Sequence, residues 1–165
     1  MYEQEQREYC CAFTGHRPEK LTLPESEVRQ LLEGEIIKAY NDGYRVFISG
    51  AANGTDLWAA DIVLNLRETL PDIKLICAIP FPPKEKDNRT AEQSEYYRIT
   101  TSADEAVYVC NHYFKGCFQL RNKWMIDRCS RLIAVWSGQT GGTKNAVEYA
   151  KRTKVEIINL LNDRQ

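Results

Sequence analysis

Residues that could do chemistry are concentrated in three short loops, and the first loop follows an apolar run near the amino end. It reads Thr14-Gly15-His16-Arg17-Pro18. The planar guanidinium of Arg17 suits a phosphate or a carboxylate, and His16 can hydrogen-bond or exchange a proton near neutral pH. Gly15 allows a ligand to approach the backbone closely. A turn with two exposed polar side chains explains the same pattern equally well.

The second loop joins an apolar run to a helical pattern and consists mostly of small residues. Backbone N–H groups at such a helix start favour anions, while Thr55 or Asp56 can instead cap the helix. The carboxylate of Asp56 would repel a phosphate and suits a ribose hydroxyl better. Neither a G-x-G-x-x-G motif nor a P-loop is present, which argues against a Walker-type NTPase. The candidate ligand contacts are Ser49, Gly50, Asn53, Gly54, Thr55 and Asp56.

The third loop also follows an apolar run and contains Gly141, Gly142 and Thr143 directly before a helical pattern. Its backbone N–H groups and the Thr143 hydroxyl form a second candidate anion cradle. The alternative is a plain loop in which Thr143 caps the helix. Two small-residue loops at one edge of a sheet favour ligand binding more than either loop does alone.

Further candidate contacts come from a polar helix and from aromatic side chains. Arg121 and Asn122 could reach a ligand from the first turns of a predicted helix, although their spacing favours an amphipathic helix with solvated charges. Phe81 and Tyr113 could stack on a base, as could Trp58. Core packing explains Trp58 better, because this residue lies within a helical pattern.

Strand and helix patterns alternate along the chain and determine where these loops lie. The predicted strands cover 9–14, 45–49, 73–79, 106–110, 132–136 and 155–160, and the predicted helices cover 24–40, 55–70, 91–103, 117–130 and 145–153. A long polar loop is predicted over 80–90. This alternation predicts an α/β fold whose mostly parallel sheet is covered by helices on both faces. In such sheets, ligands bind at the carboxyl ends of the strands.

Length and composition predict one soluble globular domain that covers residues 1–165. Lys and Arg number 22 and Asp and Glu number 23, so the net charge gives no general attraction to nucleic acid or to an anionic membrane. No apolar run approaches the ~20 residues that span a bilayer, and the polar, acidic start is unlike a secretory signal. We therefore expect a cytoplasmic protein and disfavour nucleic acid as a partner.

The six cysteines are expected to be reduced in the cytosol and to pack as small apolar side chains. The alternative is a metal site over Cys110, His112 and Cys117. No C-x2-C pair accompanies these residues, and zinc usually takes four ligands. We therefore predict no metal site.

Several segments taken together resemble the YpsA-like family of the SLOG superfamily, which also contains DNA-processing protein A and the LOG (lysine decarboxylase-like) proteins. The resemblance covers about residues 11–158. It rests on Phe13-Thr14-Gly15-His16-Arg17-Pro18, Ile48-Ser49-Gly50, Gly54-Thr55-Asp56-Leu57-Trp58-Ala59-Ala60-Asp61, Pro80-Phe81, Phe118-Gln119-Leu120-Arg121-Asn122, Ile126-Asp127 and Gly141-Gly142-Thr143.

The resemblance implies a Rossmann-like three-layer fold and a pocket for nucleotides or their derivatives, such as NAD or ADP-ribose. It implies pocket contacts from Gly15, His16, Arg17, Ser49, Gly50, Gly54, Asp56, Gly142 and Thr143. Dimers are common in this superfamily, which makes a homodimer one candidate assembly.

One departure from the superfamily's motifs affects the expected activity. LOG enzymes release the base from nucleoside monophosphates and carry Gly-Gly-x-Gly-Thr-x-x-Glu. In this chain Ala146 stands three residues after Thr143, and the nearest glutamate is Glu148. The Pro-Gly-Gly with which the LOG segment begins is also absent, since Ser137-Gly138-Gln139 stands there. The catalytic glutamate of that motif is missing from its place, which argues against phosphoribohydrolase activity.

Three functions are therefore weighed. The favoured one is a sensor or regulatory module in which Arg17 contacts the phosphate and Asp56 the ribose of a nucleotide-derived ligand. The second is a hydrolase or transferase acting on an N-glycosidic bond, with Asp56 as the best catalytic candidate and Glu148 and His16 behind it. The third is single-stranded DNA binding like that of DNA-processing protein A, which the near-neutral charge disfavours.

Overall fold

The strands and helices follow the predicted order, and their bounds come from a computed structural model that describes residues 4–83 and 90–161. The strands are β1 (Cys10–Gly15), β2 (Val46–Ser49), β3 (Lys74–Ile79), β4 (Glu105–Tyr108), β5 (Arg131–Val135) and β6 (Glu156–Asn159). The helices are α1 (Glu25–Asn41), α2 (Thr55–Leu66), α3 (Ala91–Ser102), α4 (Cys117–Asp127) and α5 (Gly142–Arg152). Two short 3-10 helices cover Gln4–Tyr9 and Pro18–Lys20. Residues 84–89 of the predicted loop lie outside the described residues.

The six strands form one parallel sheet in the order β4-β3-β2-β1-β5-β6. From β1 the chain moves outward through β2, β3 and β4, and it then returns to the other side of β1 with β5 and β6. The strand order therefore reverses between β1 and β5, whose carboxyl ends meet where Gly15 pairs with Val135. Open parallel sheets bind their ligands at such a reversal.

Helices cover both faces of the sheet. Alternate residues of a strand therefore pack into two separate cores, one on each face. In β1, Cys11 and Phe13 belong to the core beneath α1, α2 and α3. Cys10 and Ala12 belong to the core beneath α4 and α5. Strands that are buried on both faces need apolar residues at nearly every position, which explains why they occur as continuous apolar runs. The predicted three-layer, Rossmann-like α/β fold is confirmed.

One helix start and one helix cap differ from the predicted ones, and both differences lie in candidate ligand loops. The helix predicted over 145–153 begins earlier, at Gly142, so Thr143 lies in its first turn and does not cap it. At the start of α2 the capping position is Gly54, with a φ of 93° and no side-chain cap. The prediction of a Thr55 or Asp56 cap is therefore wrong, and the Thr55 hydroxyl bonds the His16 carbonyl oxygen instead.

All six cysteines are buried and free of disulfide bonds, as small apolar side chains should be. Within residues 4–83 and 90–161, no three His, Cys, Asp or Glu side chains converge in a way that could hold a metal ion. None of the helices described is both long enough and apolar enough to cross a membrane.

Candidate functional site

The loops that follow β1 and β5 are joined by a contact between His16 and Ser137, which we call the β1–β5 clasp. His16 Nε2 lies 2.9 Å from Ser137 Oγ and accepts the Ser137 backbone N–H at 3.0 Å. A backbone N–H can only donate, so Nε2 carries no proton and the neutral ring holds its proton on Nδ1. The His16 side chain is buried. The clasp therefore joins the loops after β1 and β5 at the point where the strand order reverses.

Burial lowers the pKa of His16 below its usual 6.5, and the positive charge of Lys20 lowers it further. Both causes disfavour the imidazolium form. The lowered pKa agrees with the hydrogen bonding, because a protonated Nε2 could not accept the Ser137 N–H. His16 is thus held as a neutral acceptor and leaves little of its surface to a ligand.

The first and second loops are packed closely against each other. Thr55 Oγ1 donates to the His16 carbonyl oxygen at 3.1 Å, and a Cβ on Gly15 would lie 2.4 Å from the Thr55 side chain. A Cβ on Gly54 would lie 2.9 Å from the same carbonyl oxygen. The structure therefore explains Gly15 and Gly54 by contact between the two loops, and Thr55 serves the same contact.

Asp56 is the charged group of the site with the most unusual surroundings. Its side chain is buried, and Oδ1 has no hydrogen-bond partner among the described residues. Burial raises the pKa of Asp56 to about 6, against lowering by Arg121, by the Ala52 backbone and by Arg17. Ser49 secures the loop, since its Oγ donates to the Asp56 carbonyl oxygen at 2.7 Å. Asp56 therefore keeps an acceptor oxygen that the described part of the protein does not use.

Arg121 reaches across the sheet from α4 and is buried, so the prediction of a solvated charge is wrong for this residue. Its guanidinium donates to the carbonyl oxygens of Gly50, at 2.6 Å, and of Ala78, at 3.4 Å. It also donates to Asn122 Oδ1 at 2.9 Å. Arg121 Nη1 and Asp56 Oδ2 both lie 2.8 Å from the position of a Cβ on Gly50. Arg121 thus ties the ends of β2 and β3 together and supplies the counter-charge to Asp56.

The third loop is the open part of the site. Gly141 and Gly142 are exposed, and Gly141 has a φ of 136°, which favours glycine. Lys20 Nζ lies 3.4 Å from the position of a Cβ on Gly141. The first N–H groups of a helix have no intrahelical acceptor, so α5 directs free donors to the place that Lys20 approaches. Sequence reasoning missed Lys20, although it stands only three residues after the predicted Arg17.

Aromatic residues from three segments meet beside the end of β3. Phe81 lies 5.6 Å from Tyr113 and 5.9 Å from Phe118 between ring centroids. The structure thus brings together two of the aromatic residues predicted to stack on a base and adds Phe118. The third, Trp58, is buried in the core, where packing was the favoured explanation.

The other predicted contacts lie around this centre and not within it. Arg17 is exposed, and its charge acts on Asp56. Asn53 lines a small cleft of about 270 Å³ against α1 and α3. Asn122 and Glu148 line a groove of about 240 Å³ between α4 and α5, where Glu148 lies 3.9 Å from Lys144. The structure gives no contact of Glu148 with Asp56.

A concavity of about 890 Å³ lies at the opposite edge of the sheet. Two of its charged lining residues are paired with each other, since Arg45 donates to Asp72 at 3.1 Å and also to the carbonyl oxygens of Tyr40 and Tyr44. It adjoins the amino ends of the strands, whereas ligands of this architecture bind at the carboxyl ends. We therefore assign the candidate site to the carboxyl edge of the sheet.

Sequence comparison finds relatives over almost the whole chain. A family model described as the YspA SLOG family matches residues 11–161. A UPF0398 protein of Bacillus cereus is 27% identical in an alignment of 157 positions that covers 90% of this chain and 85% of that protein.

Structural comparison finds the same fold in two larger proteins. DNA processing protein A from Streptococcus pneumoniae superposes with a TM-score of 0.62 and 17% identity over 91% of this chain. DNA processing protein A from Helicobacter pylori superposes with a TM-score of 0.64 and 18% identity over 93% of this chain. The structure of that protein concerns single-stranded DNA binding. This chain spans 49% and 66% of their lengths. At such identities the similarity establishes the fold alone.

Proposed function

Because this chain belongs to the YspA SLOG family, we propose that it binds a nucleotide-derived ligand of the NAD or ADP-ribose class and acts as a sensor or regulatory module. The ligand would lie at the carboxyl ends of β1, β2 and β5, between the clasp and the start of α5. Its phosphate groups would contact Lys20, Arg17 and the first backbone N–H groups of α5.

One observation carries this proposal: Lys20 approaches the exposed start of α5 at the strand reversal. Helix starts bind anions through unpaired N–H groups and the helix dipole. A lysine ammonium adds a full positive charge at the same place, and the strand reversal is where this architecture binds ligands. Phosphate is the anion that a nucleotide-derived ligand would present there.

Asp56 supports the ribose part of the proposal. A buried polar atom is normally hydrogen-bonded, and an exception calls for an explanation. Oδ1 of Asp56 has no such bond among the described residues. A ribose hydroxyl could donate to this oxygen once the surrounding loops adjust to a ligand.

Thermal unfolding with and without AMP, ADP, NAD and ADP-ribose tests the proposal. A ligand that binds only the folded state raises the melting temperature by mass action. We expect Lys20→Ala and Arg17→Ala each to weaken binding by about tenfold or more, since a hydrogen bond to a charged group contributes about 1.5–3 kcal/mol. Lys38→Ala, which removes an exposed lysine from α1, is the matched control. Failure of all four nucleotides to stabilise the wild type would contradict the proposal.

A second candidate function is cleavage of an N-glycosidic bond, which the raised pKa of Asp56 favours. A buried carboxyl with a pKa of about 6 could activate water or stabilise positive charge at the anomeric carbon. Chromatography of the binding mixtures distinguishes this function from ligand sensing. Release of base or nicotinamide that is lost in Asp56→Asn would support the enzyme, whereas intact ligand would support the sensor.

A third candidate is single-stranded DNA binding, which the Helicobacter pylori structure reports for a protein of the same fold. The near-neutral charge of the chain gives it little support, because binding to phosphate backbones depends on basic surfaces. Retention of an oligothymidylate that falls steeply with added salt would support this function. Absence of retention at low salt would remove it.

A further inference from the structure

We propose that the cluster of Phe81, Tyr113 and Phe118, here called the aromatic platform, binds the base of the nucleotide-derived ligand. This inference rests on the proposed function and adds a second subsite to it. It also defines the ligand: a flat base must be joined to the anchored phosphate by a linker long enough to cross the site.

The platform is assembled from three separate segments of the chain. Phe81 follows β3, Tyr113 lies in the loop between β4 and α4, and Phe118 lies in the first turn of α4. All three ring pairs are edge-to-face, with centroid distances of 5.6, 5.9 and 6.4 Å. Edge-to-face packing is a favoured geometry for aromatic side chains. The platform is therefore held by its own contacts.

Core packing does not explain these side chains. Tyr113 is 62% exposed and Phe118 is 42% exposed, and none of the three belongs to either core. Exposed aromatic groups that converge on one place are typical of a surface that binds something. A flat aromatic ligand suits this surface, because stacking of bases on aromatic side chains is favourable and tolerant of base identity.

The platform is connected to the phosphate end of the site through Arg121. The Arg121 guanidinium carbon lies 6.0 Å from the Phe118 ring, and the same side chain donates to the Gly50 carbonyl oxygen beside Asp56. The platform, Arg121 and Asp56 thus follow one another along the carboxyl edge of the sheet. A ligand could contact the platform and the region of Asp56 at once.

The position of the platform sets a minimum length for the ligand. Phosphate groups at the reversal between β1 and β5 are separated from the end of β3 by the ends of β1 and β2. Neighbouring strands lie about 4.8 Å apart, so the separation is on the order of 10 Å. A phosphorylated sugar without a base leaves the platform empty. A ligand with a pyrophosphate or a similar bridge between its anchored end and its base can fill both places.

Binding of ADP-ribose and of ribose 5-phosphate to the wild type and to two variants tests this inference. Tyr113→Ala removes the most exposed platform ring, and Tyr108→Ala is the matched control, since Tyr108 is 53% exposed and lies outside the platform. We expect Tyr113→Ala to weaken ADP-ribose binding about tenfold, in line with the loss of one stacked base. Ribose 5-phosphate affinity should not change, and Tyr108→Ala should bind both ligands like the wild type.

A spectroscopic readout makes the test specific for stacking. The etheno-adenine derivative of ADP-ribose should lose fluorescence on binding to the wild type and retain it with Tyr113→Ala. Melting temperatures without ligand, which should agree among the three proteins, identify any loss of folding. Should Tyr113→Ala disturb the fold, Phe118→Leu replaces it, because this change keeps apolar volume and removes the ring.

The outcomes separate this inference from the proposed function. Equal ADP-ribose affinity and equal quenching in wild type and Tyr113→Ala would overturn the base subsite and leave nucleotide binding intact. Absence of ADP-ribose binding to the wild type would overturn the base subsite for this ligand, and absence of binding by AMP, ADP and NAD as well would overturn both. Weaker retention of oligothymidylate by Tyr113→Ala, with ADP-ribose binding unchanged, would overturn the subsite in favour of a nucleic-acid surface.

Discussion

Asp56 is buried, and the surrounding residues compensate only part of the cost of burying its negative charge. Arg121 provides a counter-charge, yet burial still raises the pKa of Asp56 from 3.8 to about 6. A carboxylate in this position lowers the stability of the fold near neutral pH. Strongly shifted pKa values are concentrated at functional sites, which is why we give Asp56 a role in ligand binding.

The substitution Asp56→Asn should stabilise the protein above pH 6. Between pH 3.8 and about 6 the folded state keeps a proton that the unfolded state releases, so the Asp56 contribution to stability is lost as the pH rises through this window. Asparagine does not titrate. We therefore expect a gain of about 2–3 kcal/mol in the free energy of unfolding at pH 8 and little gain below pH 3.8, measured by urea unfolding.

Asp61→Asn, on the same helix, is the matched control for that experiment. Burial alone would raise the pKa of Asp61, but hydrogen bonds from Arg29, at 2.8 Å, and from Arg98 lower it. Its contribution to stability is present above its unfolded pKa and is lost on acidification, so Asp61→Asn should destabilise the protein at pH 8. A gain for Asp56→Asn that does not vary with pH would contradict our account of the buried charge.

His16 should titrate below its usual pKa of 6.5 in the folded protein. Burial and the charge of Lys20 both lower this pKa, so the stability that neutral His16 contributes is present above pH 6.5 and is lost as the pH falls through the folded pKa. Imidazole resonances followed by NMR from pH 8 to pH 5 give the value directly. A pKa at or above 6.5 would mean that the His16–Ser137 clasp is open in solution.

At the scale of elements, the site depends on close approach between the loop after β1 and the start of α2. The helix start is fixed by Thr55, whose hydroxyl bonds the His16 carbonyl oxygen. The loop after β2 contributes its own strain, since Ala51 has a φ of 57° without being glycine. Strained backbone conformations persist only where the surrounding contacts hold them, and they are concentrated at functional sites.

Gly15→Ala should destabilise the protein by about 1–3 kcal/mol, because its Cβ would overlap Thr55 and overpacking of this kind forces a backbone shift. Gly34→Ala is the matched control. Gly34 lies within α1, and a Cβ added there would meet no atom within 4 Å, so alanine should stabilise that helix by up to ~1 kcal/mol. Thermal and urea unfolding measure both effects. Equal behaviour of the two variants would show that the loops are not tightly packed at Gly15.

At the scale of the whole molecule, the sequence allowed the fold to be predicted more fully than the site. The order of strands and helices followed from apolar runs, because β1 to β3 and β5 are buried on both faces. The loops at the carboxyl edge were also recognised from their glycines and polar residues. These properties are local, and a single segment carries enough information to reveal them.

The contacts within the site could not be predicted, because they join residues far apart in the chain. Arg121 has the sequence surroundings of a solvated helix residue, yet it is buried against the Gly50 carbonyl oxygen, 71 residues away. Lys20 has no local pattern that marks it, and only the tertiary fold brings it near Gly141. Capping by Thr55 stayed an open alternative for the same reason, because its bond to the His16 carbonyl oxygen joins segments 39 residues apart.

The β1–β5 clasp has a consequence for the order in which the protein acquires function. His16 and Ser137 are separated by 121 positions, so a growing chain cannot form their contact until most of it has left the ribosome. Contacts of such long range are made late, since loop-closure entropy opposes them. Ligand added during refolding should therefore not bind before β1 has paired with β5. Binding would then report a chain in which β1 and β5 are paired and not merely a collapsed one.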